Sequence, residues 1–106
     1  LVIIGDWNSN ALWDKKRKIG NHSDVCNFLN SKGLVSSYHS DDKIFQGSEP
    51  DNTFFMHRNL DKGYHIDYLF AASKFLSNSE KMKIGDHNHW LQYSDHLPIS
   101  YKLNTD

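Results

Sequence analysis

The 106-residue chain is at most one domain, and an apolar share of 38% is thin for a self-sufficient core even with 13% aromatic residues. Twelve basic against thirteen acidic residues leave a formal charge of −1, which excludes a strongly basic nucleic-acid footprint while leaving room for a local patch. The one cysteine, Cys26, excludes an internal disulfide framework and a cysteine-rich zinc site, and suits a reducing compartment.

No apolar stretch is long enough to span a membrane and no signal peptide is visible. The expected location is therefore cytoplasmic, although the chain begins at Leu1 and an upstream targeting segment would lie outside it. No repeat, low-complexity tract or linker divides residues 1–106, so a single unit is expected.

Leu1 to Ile4 is a β-branched-rich run, the pattern of a strand covered on both faces. The polar stretch "SNALWDKKRKIGNH" reads as an irregular loop or short helical turn. "SDVCNFLNSKG" predicts a helix with Ser23 as N-cap, Val25, Phe28 and Leu29 at helical spacing, and Gly33 in a left-handed C-terminal cap. "LVSSYH" follows as a short strand or extended exit, and "SDDKIFQGSEPDN" as a loop marked by Gly47 and Pro50.

"TFFMHR" and "YHIDYLFAAS" are strand-like and separated by "NLDKG", which predicts a hairpin. "KMKIGDHNHW" reads as a short strand and a loop. "SDHLPISYKLN" reads as a closing strand, with Pro98 near its start where a missing N–H is tolerated. Strand, helix, then several strands in succession define an α+β chain, mostly antiparallel sheet with a covering helix.

Three polar clusters place carboxylates at or within β elements: "GDWN", "HIDY" and "SDH". Asp6, Asn8, Asp67, Asp95 and His96 together offer oxygen ligands for a hard cation, an amide, and an imidazole with carboxylates nearby. Phosphate-ester hydrolysis needs such parts: an ion to neutralise phosphate charge, a base for water, and donors for the transition state. Taken singly, Asp6 reads as a turn or cap residue more readily than as a ligand. Asp67, flanked by apolar residues, is expected to be buried and to need either a histidine or a backbone N–H as partner.

In their order along the chain, "GDWN", "YHIDYLF" and "SDHLPI" resemble the C-terminal motifs of the endonuclease/exonuclease/phosphatase superfamily, and "TFF" resembles the threonine-plus-aromatic strand of that group. The resemblance covers nearly the whole chain but only the second half of a family domain. It implies one half of a deoxyribonuclease I-like four-layer α/β sandwich and a Mg²⁺-dependent phosphoesterase, with Mn²⁺ as a substitute. Within it, Asp6 aligns or activates the attacking water, and Asn8 and His96 contact the phosphate. Asp67 orients His96, and Asp95 with Asp6 serves the metal site.

Two departures stand out. Trp7 replaces the usual phenylalanine, a packing change. The family's N-terminal half, with its metal-ligating glutamate, has no counterpart here, and neither Glu49 nor Glu80 fits that role. The expected partners are accordingly a phosphate-ester substrate, nucleic acid among the candidates, and either the missing N-terminal half or a second copy covering an exposed sheet face. An inactive, self-associating binding module is the alternative.

Seven histidines compete for attention. His87 and His89 have a spacing that a loop zinc site uses, His65 shares a strand face with Asp67, and His22, His39 and His57 default to surface or hydrogen-bonding roles. The "DKKRK" run reads as a solvated loop or a contact for a polyanion.

Overall fold

The computed structural model describes residues 1–40, 44–76 and 80–105. In chain order these form β1 (Val2–Asp6), α1 (His22–Ser31), β2 (Leu34–Ser36), β3 (Phe54–Phe55), β4 (Gly63–Tyr64), β5 (Asp67–Ala72), β6 (Lys83–Ile84), α2 (His87–Trp90) and β7 (Ile99–Ser100). Short 3-10 turns occupy Ala11–Lys16, Met56–Arg58 and Ser73–Phe75. The chain is an α+β fold with antiparallel sheets, as its pattern suggests.

The central element is β5, in a three-stranded antiparallel sheet ordered β1-β5-β2. Its residues are buried from Asp67 through Ala71, which suits a near-continuous apolar run paired on both edges. The β-branched run at Leu1 to Ile4 is instead an edge strand in this chain, with Val2 40% and Ile4 56% exposed. Only its alternate residues are packed.

Helix α1 begins where Asn21 caps it. The Asn21 side chain accepts from the Asp24 amide and the Asp24 carboxylate accepts from the Asn21 amide, a reciprocal capping box. Ser23, the expected cap, lies inside the helix and its hydroxyl binds Asp14. The buried stripe is His22, Cys26 and Leu29, whereas Val25 and Phe28 face outward. Gly33 follows with φ of 80°, the left-handed position expected of it.

Cys26 and Leu29 pack with Leu34, Tyr68 and Phe70, and Ile3 and Trp7 close the cluster. Burial of each large apolar side chain here contributes roughly 1.5–3 kcal/mol. Trp7 stacks on Phe70, ring centroids 4.9 Å apart, so the residue between Asp6 and Asn8 is an anchor into the core. With α1 on that face, the opposite face of the sheet carries Val2, Ile4 and Asp6 beside their cross-strand partners Ala71, Leu69 and Asp67.

The expected hairpin forms, but only the start of its second run takes part. β3 pairs with β4, through the Met56–Arg58 turn, while β5 crosses to the other sheet. The closing segment also divides. Phe55 N–H donates to Asp95 O and Leu97 N–H to Thr53 O, and beyond Pro98 the chain moves on to pair β7 with β6. The "DHNHW" segment, read as a loop, holds the one-turn helix α2, capped by Asp86. No helix among the described residues is long and apolar enough to cross a membrane.

Candidate functional site

The end of β1 and the start of β5 bring two carboxylates together. Asp6 is paired in register with Asp67, directly across the antiparallel ladder. Directly opposite residues share a sheet face, and here it is the face away from α1. Asp67 is buried and Asp6 remains exposed.

Thr53 fixes how the chain enters β5. It is fully buried, and its hydroxyl accepts from the amides of Ile66 (3.0 Å) and Asp67 (3.2 Å). Its own amide donates to Tyr64 O, and its carbonyl accepts from Leu97 N–H. One residue therefore ties together the β4 strand, the Asp67 backbone and the segment that carries His96.

His96 reaches the carboxylate pair from that segment. Phe54 forms a β-bridge with it and lies beside its ring, centroids 4.8 Å apart. Nδ1 donates to Asp67, 3.0 Å from Oδ2 and 3.2 Å from Oδ1. A carboxylate only accepts, so this bond places a proton on Nδ1 and sets the ring's direction. Nε2 then points to the Asp6 side, 3.6 Å from Oδ2, an ion-pair separation longer than a hydrogen bond.

Asp6, Asp67 and His96 form a cluster whose ligand atoms lie within 4.8 Å of one another. Both Asp67 oxygens are engaged by the ring, and Asp6 Oδ1 accepts the Asn8 amide at 2.9 Å. Asp6 Oδ2 is thus the carboxylate oxygen of the cluster best placed to meet a hard cation, which takes oxygen ligands and keeps several waters.

Asn8 stands at φ of 49°, a left-handed conformation that asparagine tolerates better than most residues. The turn it makes after Trp7 brings its backbone amide onto Asp6 Oδ1 and leaves the residue exposed. Asp95 lies outside the three-residue cluster and lines a neighbouring recess with His57, Arg58, Tyr93 and Ser94.

A second polar system, beneath the α1 face, was not foreseen from sequence. Asn10 is 2% exposed, and its Nδ2 lies 3.0 Å from Glu49 Oε1 and 2.8 Å from His65 O. Glu49 accepts from His39 Nε2 at 2.6 Å and from the Gly47 amide. The His39 Nδ1 accepts from Ser36 Oγ and Gln46 Nε2, and Gln46 Oε1 in turn meets His22 Nε2. Of the surface or hydrogen-bonding roles expected of them, His22 and His39 take the second, in the interior. Burial by itself drives the Glu49 carboxyl upward, but the donors from His39, Asn10 and Gly47 outweigh it and hold the group at about 2.

The other histidines take separate roles. His65 is buried, donates from Nδ1 to Asp51 O, and lies with the interior system rather than with Asp67 and His96. Its burial lowers its pKa. His89 packs edge-on to Trp90, His87 rests against Phe55, and neither joins a metal-competent cluster among the described residues. The basic run Lys15 to Lys18 is exposed. Comparison with protein-family models, with curated proteins and with solved structures finds no match.

Proposed function

We propose that the chain carries the Asp-x-Asn and Asp-His parts of a divalent-metal-dependent phosphoesterase site, acting on a phosphodiester. The observation that carries this reading is His96 held by Asp67 through Nδ1, with Nε2 facing the exposed Asp6 across 3.6 Å. Asp67 is the positioning carboxylate. His96 acts on the scissile phosphate or as the acid/base group, and Asp6 aligns the attacking water. Asn8 donates to the phosphate as charge builds in the transition state. Asp6 and Asp95 are the carboxylates assigned to Mg²⁺, for which Mn²⁺ substitutes; when bound, the ion neutralises phosphate charge.

The deoxyribonuclease I-like half-sandwich belongs to the same proposal. Its support is the motif order together with the sheet face left uncovered at Val2 and Ile4, which suits a further layer from outside this chain. The glutamate ligand of that family would come from the same source, since Glu49 is committed to His39 and Asn10.

The test is Mg²⁺-dependent hydrolysis of bis(p-nitrophenyl) phosphate by the complete gene product that contains this sequence. His96→Ala and Asp6→Ala are each expected to lower the rate by about 10²–10⁴-fold with the fold intact by circular dichroism. Wild-type rates in both variants would sink the assignment. The 106-residue chain alone is expected to be inactive, and robust turnover by it would remove the need for an outside glutamate.

A further inference from the structure

On the segment that leads into His96 the surface opens into a recess of about 570 Å³ lined by His57, Arg58, Tyr93, Ser94 and Asp95. Its two walls are not independent loops. The Phe55 amide donates to Asp95 O at 2.9 Å, which fixes the 57–58 turn against the 93–96 segment. His57 and Arg58 both sit at φ of 56°, a left-handed backbone that is unfavourable for such side chains and held here at two successive residues. Among the described residues the Arg58 guanidinium has no carboxylate partner.

On the facing wall, Tyr93 is 65% exposed yet buttressed. Its ring lies edge-on to His89 at 5.7 Å and to Trp90 at 6.4 Å, and its amide donates to Trp90 O. A cation with no carboxylate partner among the described residues and a supported, exposed aromatic ring thus line a recess that ends at Asp95, the residue before the histidine assigned to the scissile phosphate. Electrostatic contact with the backbone and stacking of bases on aromatic rings are the two terms by which single nucleic-acid strands are held.

We propose that this recess is a subsite for the adjoining nucleotide of a single nucleic-acid strand, Arg58 taking its phosphate and Tyr93 stacking on its base. The proposal rests on the phosphodiesterase reading and narrows its substrate. Asp95 faces the same recess, so one phosphate is accommodated beside Arg58, and the clustered charge of a multiply phosphorylated headgroup is not. Among the described residues that line the recess none is aliphatic, so it offers no apolar groove for an acyl chain.

Binding is measured by fluorescence anisotropy of a labelled oligothymidylate in EDTA, where no metal-dependent hydrolysis occurs. Arg58→Asn, a residue that accepts the left-handed backbone, and Tyr93→Ala are each expected to weaken binding about tenfold. Arg58→Asn also lowers the salt slope by about 0.7, one phosphate contact on a single strand. Tyr93→Phe binds as wild type, and circular dichroism verifies each fold. Unchanged affinity in both variants overturns the subsite. Displacement of the oligonucleotide by phosphatidylinositol bisphosphate vesicles in preference to unlabelled strand overturns the substrate class. The hydrolytic reading fails by a different result, unchanged turnover in His96→Ala.

Discussion

Asp6 and Asp67 face one another across the β1–β5 ladder, and the His96 ring is held between them. Like charges directly opposite in a sheet repel, so the pair is tolerable only because the imidazole binds one carboxylate and approaches the other. Asp67 is buried behind the ring and does not reach the surface that substrate would meet. If the proposed phosphoesterase reading holds, replacing it with asparagine is expected to lower kcat by about 10²–10⁴-fold, because the amide no longer fixes the Nδ1 proton and ring direction. Steady-state kinetics of the complete gene product would show KM nearly unchanged. A rise in KM with kcat intact would mean that Asp67 serves binding instead.

Thr53 is the backbone hub behind that geometry. A Thr53→Val change keeps the shape but leaves the Ile66 and Asp67 amides without their acceptor in a fully buried place. The expected loss is roughly 2–6 kcal/mol, since each of the two orphaned amides costs about 1–3 kcal/mol. Urea unfolding measures it, and Thr53→Ser, which retains the hydroxyl, should recover more than half. Equal stability of the valine variant and wild type would remove Thr53 from this role.

The difference between what was legible and what was not follows from the range of the interactions. Asp6 and Asp67 were visible because each ends or begins an apolar run, and a strand has a two-residue period that local sequence reveals. The helix was visible from its spacing and Gly33, although its buried stripe was misplaced. Reading His22 as part of the i, i+4, i+7 set with Cys26 and Leu29 would have found it. Glu49 and His39 were invisible because they lie in polar, turn-rich segments, and their burial depends on Asn10, 39 positions from Glu49. The hairpin was legible from its turn residues, but nothing local showed that beyond Tyr64 the second run leaves β3 and pairs in the other sheet.

The interior polar system predicts an acid-labile fold in two windows. Glu49 falls from an ordinary 4.5 to about 2 on folding, so the unfolded chain binds more protons between these values. Stability from this group is full above about pH 4.5 and is lost as pH falls toward 2, a total of roughly 3 kcal/mol. His65 is lowered from 6.5 by burial, so its loss begins earlier, as pH falls below 6.5 and the unfolded histidine protonates first. Chemical denaturation between pH 7 and 2.5 should therefore show a two-stage decline. Glu49→Gln is expected to flatten the lower stage while leaving the upper one, and an unaltered lower stage would show that another carboxyl controls it.

Cys26 lies 3.3 Å from His22 Nε2, a spacing that in other surroundings marks an activated thiolate. Here the environment acts the opposite way. Burial first, then the negative charges of Asp14 and Glu49, push the thiol up to about 11. The residue is 5% exposed and packed among Leu29, Leu34, Tyr68 and Phe70. The residue is structural, and its thiol should react with a disulfide reagent such as dithionitrobenzoate only through opening of the α1 face. Labelling at pH 8 is expected to be at least 100-fold slower in the native chain than in urea, a factor equal to about 2.7 kcal/mol of protection. Rapid native labelling would place the α1 face among the least stable parts of the fold, since local openings span the range from near zero to the global free energy. Cys26→Ala, which removes the sulfur from a packed site, should then cost about 1–2 kcal/mol in urea unfolding.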